Sequence, residues 1–162
     1  MPRKNNIYEF IQRMRDFSKN SIINYYSEKY LFENYYRRDE LNNHFNKFII
    51  SSKSVMVLLG KAGIGKSAFV CDLVVNSPEN IVVWLQDCSN MKLSDDTTIE
   101  EYITQSLNLD TSILTITNMF LETKTEFTVA FIFDSVNEFT NRALLLSKIA
   151  KFILQIKNKL RS

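Results

Sequence analysis

Apolar positions along this chain change period several times, and the changes mark out its elements. In NIYEFIQRMRDF (6–17), Ile7, Phe10, Ile11, Met14 and Phe17 recur at helical spacing. Residues 22–36 are rich in tyrosine and less clearly periodic. The helical signal returns in RRDELNNHFNKFIIS (37–51) through Leu41, Phe45, Phe48 and Ile49. SVMVLL (54–59) is short, β-branched and apolar, which predicts a strand buried on both faces, as in a parallel sheet. A helix is then expected from about Lys66 through Phe69, Val70, Leu73 and Val74, ended by NSPEN. IVVWLQ (81–86) and TVAFIF (128–133) read as the second and third buried strands, the latter ending in Asp134. Between them lie a polar loop (87–97) and a helix from Thr98 to Leu107, with Thr97 or Thr98 as its cap. Glu100 and Glu101 sit in its first turn, and a further helix is expected over 112–122. The last segment, Arg142 to Leu160, places Leu145, Ile149, Phe152, Ile153, Ile156 and Leu160 on one face of an amphipathic helix. Strand and helix alternate, so the expected class is α/β with a mostly parallel sheet.

Composition narrows the class. The chain has 162 residues, 45% hydrophobic and 23% charged, which suits one globular domain or part of one. No apolar run approaches the roughly 18–20 residues that span a bilayer. The basic start, MPRKNNIYEF, lacks the apolar core of a secretory signal. Cys71 and Cys88 lie in apolar surroundings without metal-ligand spacing, so a reduced, cytoplasmic setting is expected. The single histidine, His44, reads as a polar helix position. Net charge is +2, yet residues 1–53 carry ten Lys/Arg against six Asp/Glu, 54–140 four against twelve, and 141–162 six against none. Two basic ends flank an acidic middle, which makes nucleic acid a partner to consider but not the favoured one.

The chemistry concentrates in GKAGIGKS (60–67), which holds all three glycines of the chain. G-x-x-x-x-G-K-[ST] is the phosphate-binding P-loop, or Walker A motif. Its glycines let backbone N–H groups wrap around phosphate oxygens, and the following helix aims its positive end at the same charge. Gly60, Lys61, Ala62, Gly63, Ile64, Gly65, Lys66, Ser67 and Ala68 form the expected phosphate cradle, with Lys66 reaching the β- and γ-phosphates and Ser67 binding Mg²⁺. The apolar run leading into Asp134 places a carboxylate at the C-terminal edge of the sheet, where open α/β sheets bind ligands. Paired with the P-loop, this is a Walker B arrangement, with Asp134 holding Mg²⁺.

This order of features resembles STAND-class P-loop NTPases, particularly the NACHT type. GKAGIGKS fits that family's Walker A throughout. FIFDSVNE keeps Asp134, the small Ser135 and Glu138 of its Walker B, but Asn137 stands where the family usually has aspartate. YYRRDELNNHF resembles the segment preceding the first strand, with Arg38, Asp39, Glu40 and Leu41 in matching places. The resemblance spans about residues 35–155. It implies a three-layer P-loop sheet over residues 36–162 behind an N-terminal helical segment (1–35), with ATP (or GTP) and Mg²⁺ as ligands. Glu138 is the candidate for polarising the attacking water, and Lys66, Asp134 and Glu138 together form the implied catalytic set. Tyr36 and Arg37 are candidates to border the nucleotide base, with plain core packing as the alternative. The absence of an adjacent Asp-Glu pair after the third strand argues against a fast motor. In the family a further strand sits between the P-loop and Walker B strands, yet this chain stops at Ser162. Truncation is the favoured expectation; direct pairing of those two strands, or a strand supplied by a partner, are the others.

The implied activity is slow, Mg²⁺-dependent nucleotide hydrolysis as a signalling or defence switch, with nucleotide state controlling self-association. The alternatives are a non-catalytic nucleotide-binding or protein-interaction module and an AAA-like ATPase acting on nucleic acid. A small-molecule kinase ranks last, because residues 87–127 contain no arginine to serve a lid.

Overall fold

A computed structural model describes residues 2–26, 35–123 and 126–159. Eight regular elements follow in order: α1 (Pro2–Ser21), α2 (Asp39–Ile49), α3 (Lys66–Asn76), β1 (Ile81–Asp87), α4 (Ile99–Ser106), α5 (Ile113–Thr123), β2 (Thr128–Asp134) and α6 (Arg142–Lys159). A π-helical turn, Ile22–Tyr26, continues α1, and 3-10 turns follow each strand at Cys88–Asn90 and Val136–Glu138. The class is mixed α/β, as the alternation of periods predicts.

The strands pair in parallel, from Ile81 opposite Thr128 to Asp87 opposite Asp134. Parallel neighbours need a long crossover, and residues 88–127 supply it through α4 and α5. Alternation along the strands sorts side chains into two cores. Val82, Trp84, Val129, Phe131 and Phe133 join one with Ile7, Phe10 and Met14 of α1, Ile99 and Ile103 of α4, Ile113 of α5, and Leu145 and Phe152 of α6. Leu85, Ala130 and Ile132 join the other with Phe45 of α2, Phe69, Val70, Cys71 and Leu73 of α3, and Ile22 and Tyr26. Because successive strand residues point to opposite faces, the small sheet is apolar on both. Trp84 anchors the first core: Phe17 stacks on it at 5.3 Å and 10°, and Phe131 and Phe133 meet it edge-on. Its buried Nε1 finds no acceptor among the described residues.

Local chemistry explains the ends of α4. Thr98 Oγ1 accepts from the Glu101 amide at 3.1 Å while Glu101 Oε2 accepts from the Thr98 amide at 2.7 Å, a reciprocal capping box. Of the two candidate caps, Thr98 is therefore the one used. At the other end, Arg13 donates to the carbonyls of Leu107 and Asn108, tying α1 to the end of α4. Lys148 on α6 donates to the carbonyls of Asp95 and Thr97, both at 2.6 Å, and so fixes the approach to the same helix.

One predicted element does not form. Residues 54–59 make no strand, and β2 pairs with β1 rather than with them. Their side chains still alternate: Met56 and Leu58 pack on the second core, while Val57 is 70% and Leu59 85% exposed. The apolar, β-branched composition favours extended backbone and buries one face, but a strand needs a ladder partner, and neither described strand forms a ladder with this segment. The expectation of burial on both faces, and that of direct pairing with 128–133, are corrected accordingly.

The other predicted helices and strands form with shifted limits. The helix expected over 6–17 runs from Pro2 to Ser21, and the one expected over 112–122 runs from Ile113 to Thr123. Of the tyrosine-rich stretch, residues 27–34 lie outside the described residues, as does Leu160 of the amphipathic pattern. Among the described residues no helix is long and apolar enough to cross a membrane.

Candidate functional site

The 60–67 loop heads α3, and its glycines are required for different reasons. Gly63 and Gly65 have φ of +76° and +85°, the left-handed region where a β-carbon is strained. A β-carbon on Gly63 would meet nothing within 4 Å, so only backbone conformation excludes it. On Gly65 it would also fall 2.8 Å from Arg38 Nη2. On Gly60 it would press on Ile64 Cγ2 at 3.1 Å.

Two cations brace this loop. Lys66 Nζ folds back to donate to the carbonyls of Gly60 and Lys61, at 2.8 and 2.9 Å. Arg38, just before α2, donates through Nη2 to the Ile64 carbonyl. Below them α3 begins with Lys66, Ser67 and Ala68, and the first helical amide bond joins Phe69 to the Gly65 carbonyl at 3.1 Å. The three preceding amides are thus not consumed by the helix, and no acidic residue occupies its first turn to offset the positive end of the dipole. Such a helix start, wrapped by a loop with left-handed glycines and flanked by two cations, is suited to an anion.

A second group forms at the C-terminal ends of the strands. Asp134 ends β2 beside Asp87 of β1. The chain then turns sharply: Ser135 adopts φ +56°, and its carbonyl accepts from the Glu138 amide at 2.9 Å. Asp87 is fully buried and its carboxylate is well partnered. Oδ1 accepts from the Ser89 amide (3.0 Å) and hydroxyl (2.8 Å), and Oδ2 accepts from Asn90 Nδ2 (2.9 Å). It therefore acts as the cap of the 3-10 turn. Asp134 takes a different donor: Tyr26 Oη lies 3.2 Å from its Oδ2. Tyr26 is itself buried, and burial together with the negative charge of Asp134 and Asp87 drives its phenol well above the ordinary range, so it stays protonated and donates. Cys88, beside the same carboxylates, is pushed up to about 12 by burial first and then by Asp87 and Asp134, which keeps it a neutral thiol rather than a nucleophile.

The predicted residues therefore fall into two clusters joined by a shared core. Gly60 to Ser67 come together with Arg38 at the head of α3; α3 and the Asp134 strand meet through Phe69, Val70, Ala130 and Ile132. Asn137 and Glu138 sit exposed on the 3-10 turn beyond Asp134. Tyr36 is 89% exposed, so core packing does not account for it, and Arg37 makes an exposed ion pair with Asp39 at 3.5 Å. His44 is exposed on α2. Sequence reasoning missed Tyr26 at the carboxylate, because its stretch carries no clear period, and it took Asp87 for plain loop. The D-x-S-N pattern of a side-chain-capped turn was the available signal for the latter. Among the described residues no three His, Cys, Asp or Glu side chains converge as a protein-only metal cluster. Comparison with protein-family models, with curated proteins and with solved structures finds no match to this chain.

Proposed function

We propose that this chain is the nucleotide-binding part of a STAND-class, NACHT-like P-loop NTPase, which binds Mg·ATP or Mg·GTP and hydrolyses it slowly as a signalling or defence switch. The observation that carries this reading is the 60–67 loop: two left-handed glycines, a lysine folded onto the loop's own carbonyls, and three amides left over at the start of α3. In this reading β1 and β2 belong to a three-layer, mostly parallel sheet, and 54–59, which forms no ladder with either, is the segment that leads into its phosphate loop. The two apolar faces of the strands support that arrangement.

The chemistry follows from these groups. Lys66 would exchange the carbonyls of Gly60 and Lys61 for β- and γ-phosphate oxygens, keeping its donors satisfied throughout. The amides of Lys66, Ser67 and Ala68 would bind the same oxygens, and Arg38 braces the loop at the Ile64 carbonyl. Ser67 and Asp134 offer hard oxygen donors of the kind Mg²⁺ takes together with several waters. Bound magnesium would neutralise phosphate charge. Glu138, on its exposed turn, would orient a water for in-line attack on the γ-phosphate. Catalysis of this kind is mainly positioning and charge neutralisation.

A second reading, binding without turnover, is favoured by Asn137 in place of an acid and by the exposure of Glu138 away from the core. Calorimetric titration with Mg·ATP and Mg·GTP, on this chain and on Lys66→Ala, tests the proposal. Binding that the variant abolishes supports it, and no binding by folded wild type overturns it. Phosphate release by wild type, lost in Glu138→Gln, separates the hydrolase from the pure binder.

A further inference from the structure

We infer that Tyr26 is a positioning residue for the Asp134 carboxylate, and that through it the N-terminal helix becomes part of the metal-binding apparatus; the inference rests on the nucleotide-binding reading above. Two carboxylates end neighbouring strands side by side, Asp87 and Asp134. Asp87 is already served by Ser89 and Asn90. Asp134 receives its donor from 108 residues away, Tyr26 Oη at 3.2 Å on Oδ2.

The phenol is a costly choice for packing alone. Tyr26 is 0% exposed among Ile22, Phe69, Cys71 and Leu85, where a phenylalanine ring would fill the same volume without burying a hydroxyl. Its hydroxyl is instead aimed at the one strand-end carboxylate with an expected ligand role. The main chain is adapted to deliver it. Tyr26 ends a π-helical turn, a geometry that is rare and that shifts the side chains beyond it relative to a continued α-helix. The base of that turn is anchored, because Ser18 on α1 is bonded to β1 at Val83 and Leu85. A donor fixed at both ends in this way holds Oδ2 and would leave Oδ1 free to receive a metal-bound water. Groups that orient a metal-binding side chain in this manner govern metal affinity strongly when removed, by about 10–100-fold.

The test is a set of nucleotide titrations with and without Mg²⁺ on wild type, Tyr26→Phe, Asp134→Asn and the double variant. The quantity read is the tightening of ATP binding that Mg²⁺ produces. Expected in Tyr26→Phe is a loss of roughly tenfold in that tightening, with metal-free ATP binding and far-ultraviolet dichroism unchanged. In the Asp134→Asn background the tyrosine substitution adds nothing further. An unaltered Mg²⁺ effect in a folded Tyr26→Phe protein, or additive effects in the double variant, overturns the inference and leaves nucleotide binding intact. Wild type that binds ATP with no Mg²⁺ effect overturns the metal role of Asp134 and the inference with it, and wild type that binds none overturns the nucleotide reading itself. Should Tyr26→Phe not fold, 3-fluorotyrosine protein replaces it: the fluorine line that Asp134→Asn displaces must also move when Mg²⁺ joins ATP, and a line indifferent to Mg²⁺ refutes the role.

Discussion

Ser18 occupies the outer edge of β1 as a neighbouring strand would. Its hydroxyl donates to the Val83 carbonyl at 2.8 Å and accepts from the Leu85 amide at 2.9 Å, so one buried side chain on α1 satisfies an N–H and a C=O of the strand. Edge strands expose unpaired backbone groups, and covering the edge with a helix is a known remedy. Ser18→Ala removes both bonds and leaves two buried backbone groups without partners. Each such group costs about 1–3 kcal/mol, so chemical denaturation should show a loss of that order or more, and faster hydrogen exchange at the Leu85 amide.

The glycine loop makes a sharper comparison. Gly65→Ala meets two obstacles, φ of +85° and the Arg38 guanidinium, whereas Gly63→Ala meets only its φ of +76°. The conformational cost is about 1–2 kcal/mol for either. Gly65→Ala is expected to be the more destabilising in thermal melts, and Arg38→Ala to relieve part of its loss and none of that of Gly63→Ala. Equal losses that Arg38→Ala does not touch would show that the guanidinium exerts no pressure there.

Hydrogen exchange should also distinguish the two extended segments. Amides of 54–59 lack a ladder and carry exposed Val57 and Leu59, so they should exchange fast. Those of Trp84 and Leu85 should be strongly protected. Protection across 54–59 would mean that this segment has acquired a strand partner in solution.

Trp84 is the single tryptophan, and its stacking on Phe17 makes it both probe and test. Trp84→Phe keeps an aromatic ring and removes the unpartnered Nε1, so its loss should be modest. Trp84→Ala should cost about 3–5 kcal/mol, read by urea denaturation followed with far-ultraviolet dichroism.

Alkaline pH should weaken the fold. Cys88 and Tyr102 are both pushed up to about 12, from ordinary values of 9.0 and 10.0, chiefly by burial. Because each folded value is raised, the native state favours the protonated form. The stabilisation is complete below about pH 9 and is lost as pH rises towards 12. The midpoint of thermal unfolding should therefore be level from pH 7 to 9 and fall above it. Cys88→Ser should make the onset of that fall later, since serine does not ionise in this range.

Much of this molecule was legible because it is written in local chemistry. Thr98 and Glu101 stand three residues apart and cap each other; α6 spaces Leu145, Ile149, Phe152 and Ile156 along one face; the glycines of 60–67 announce a backbone conformation that other residues resist. Each depends on neighbours within a turn or two, so sequence alone determined the order of most elements, the α/β class and the loop at the head of α3. What only tertiary structure decided depends on partners far along the chain. Ser18 meets β1 across 65 residues, Arg38 meets Ile64 across 26, and Tyr26 meets Asp134 across 108. Residues 54–59 carry the composition of a buried strand and yet form none, because a helix makes its own backbone hydrogen bonds while a strand must borrow them from another segment. Their period of two survives in the packing of Met56 and Leu58. The ladder, being a property of two segments at once, was not in the six residues to be read.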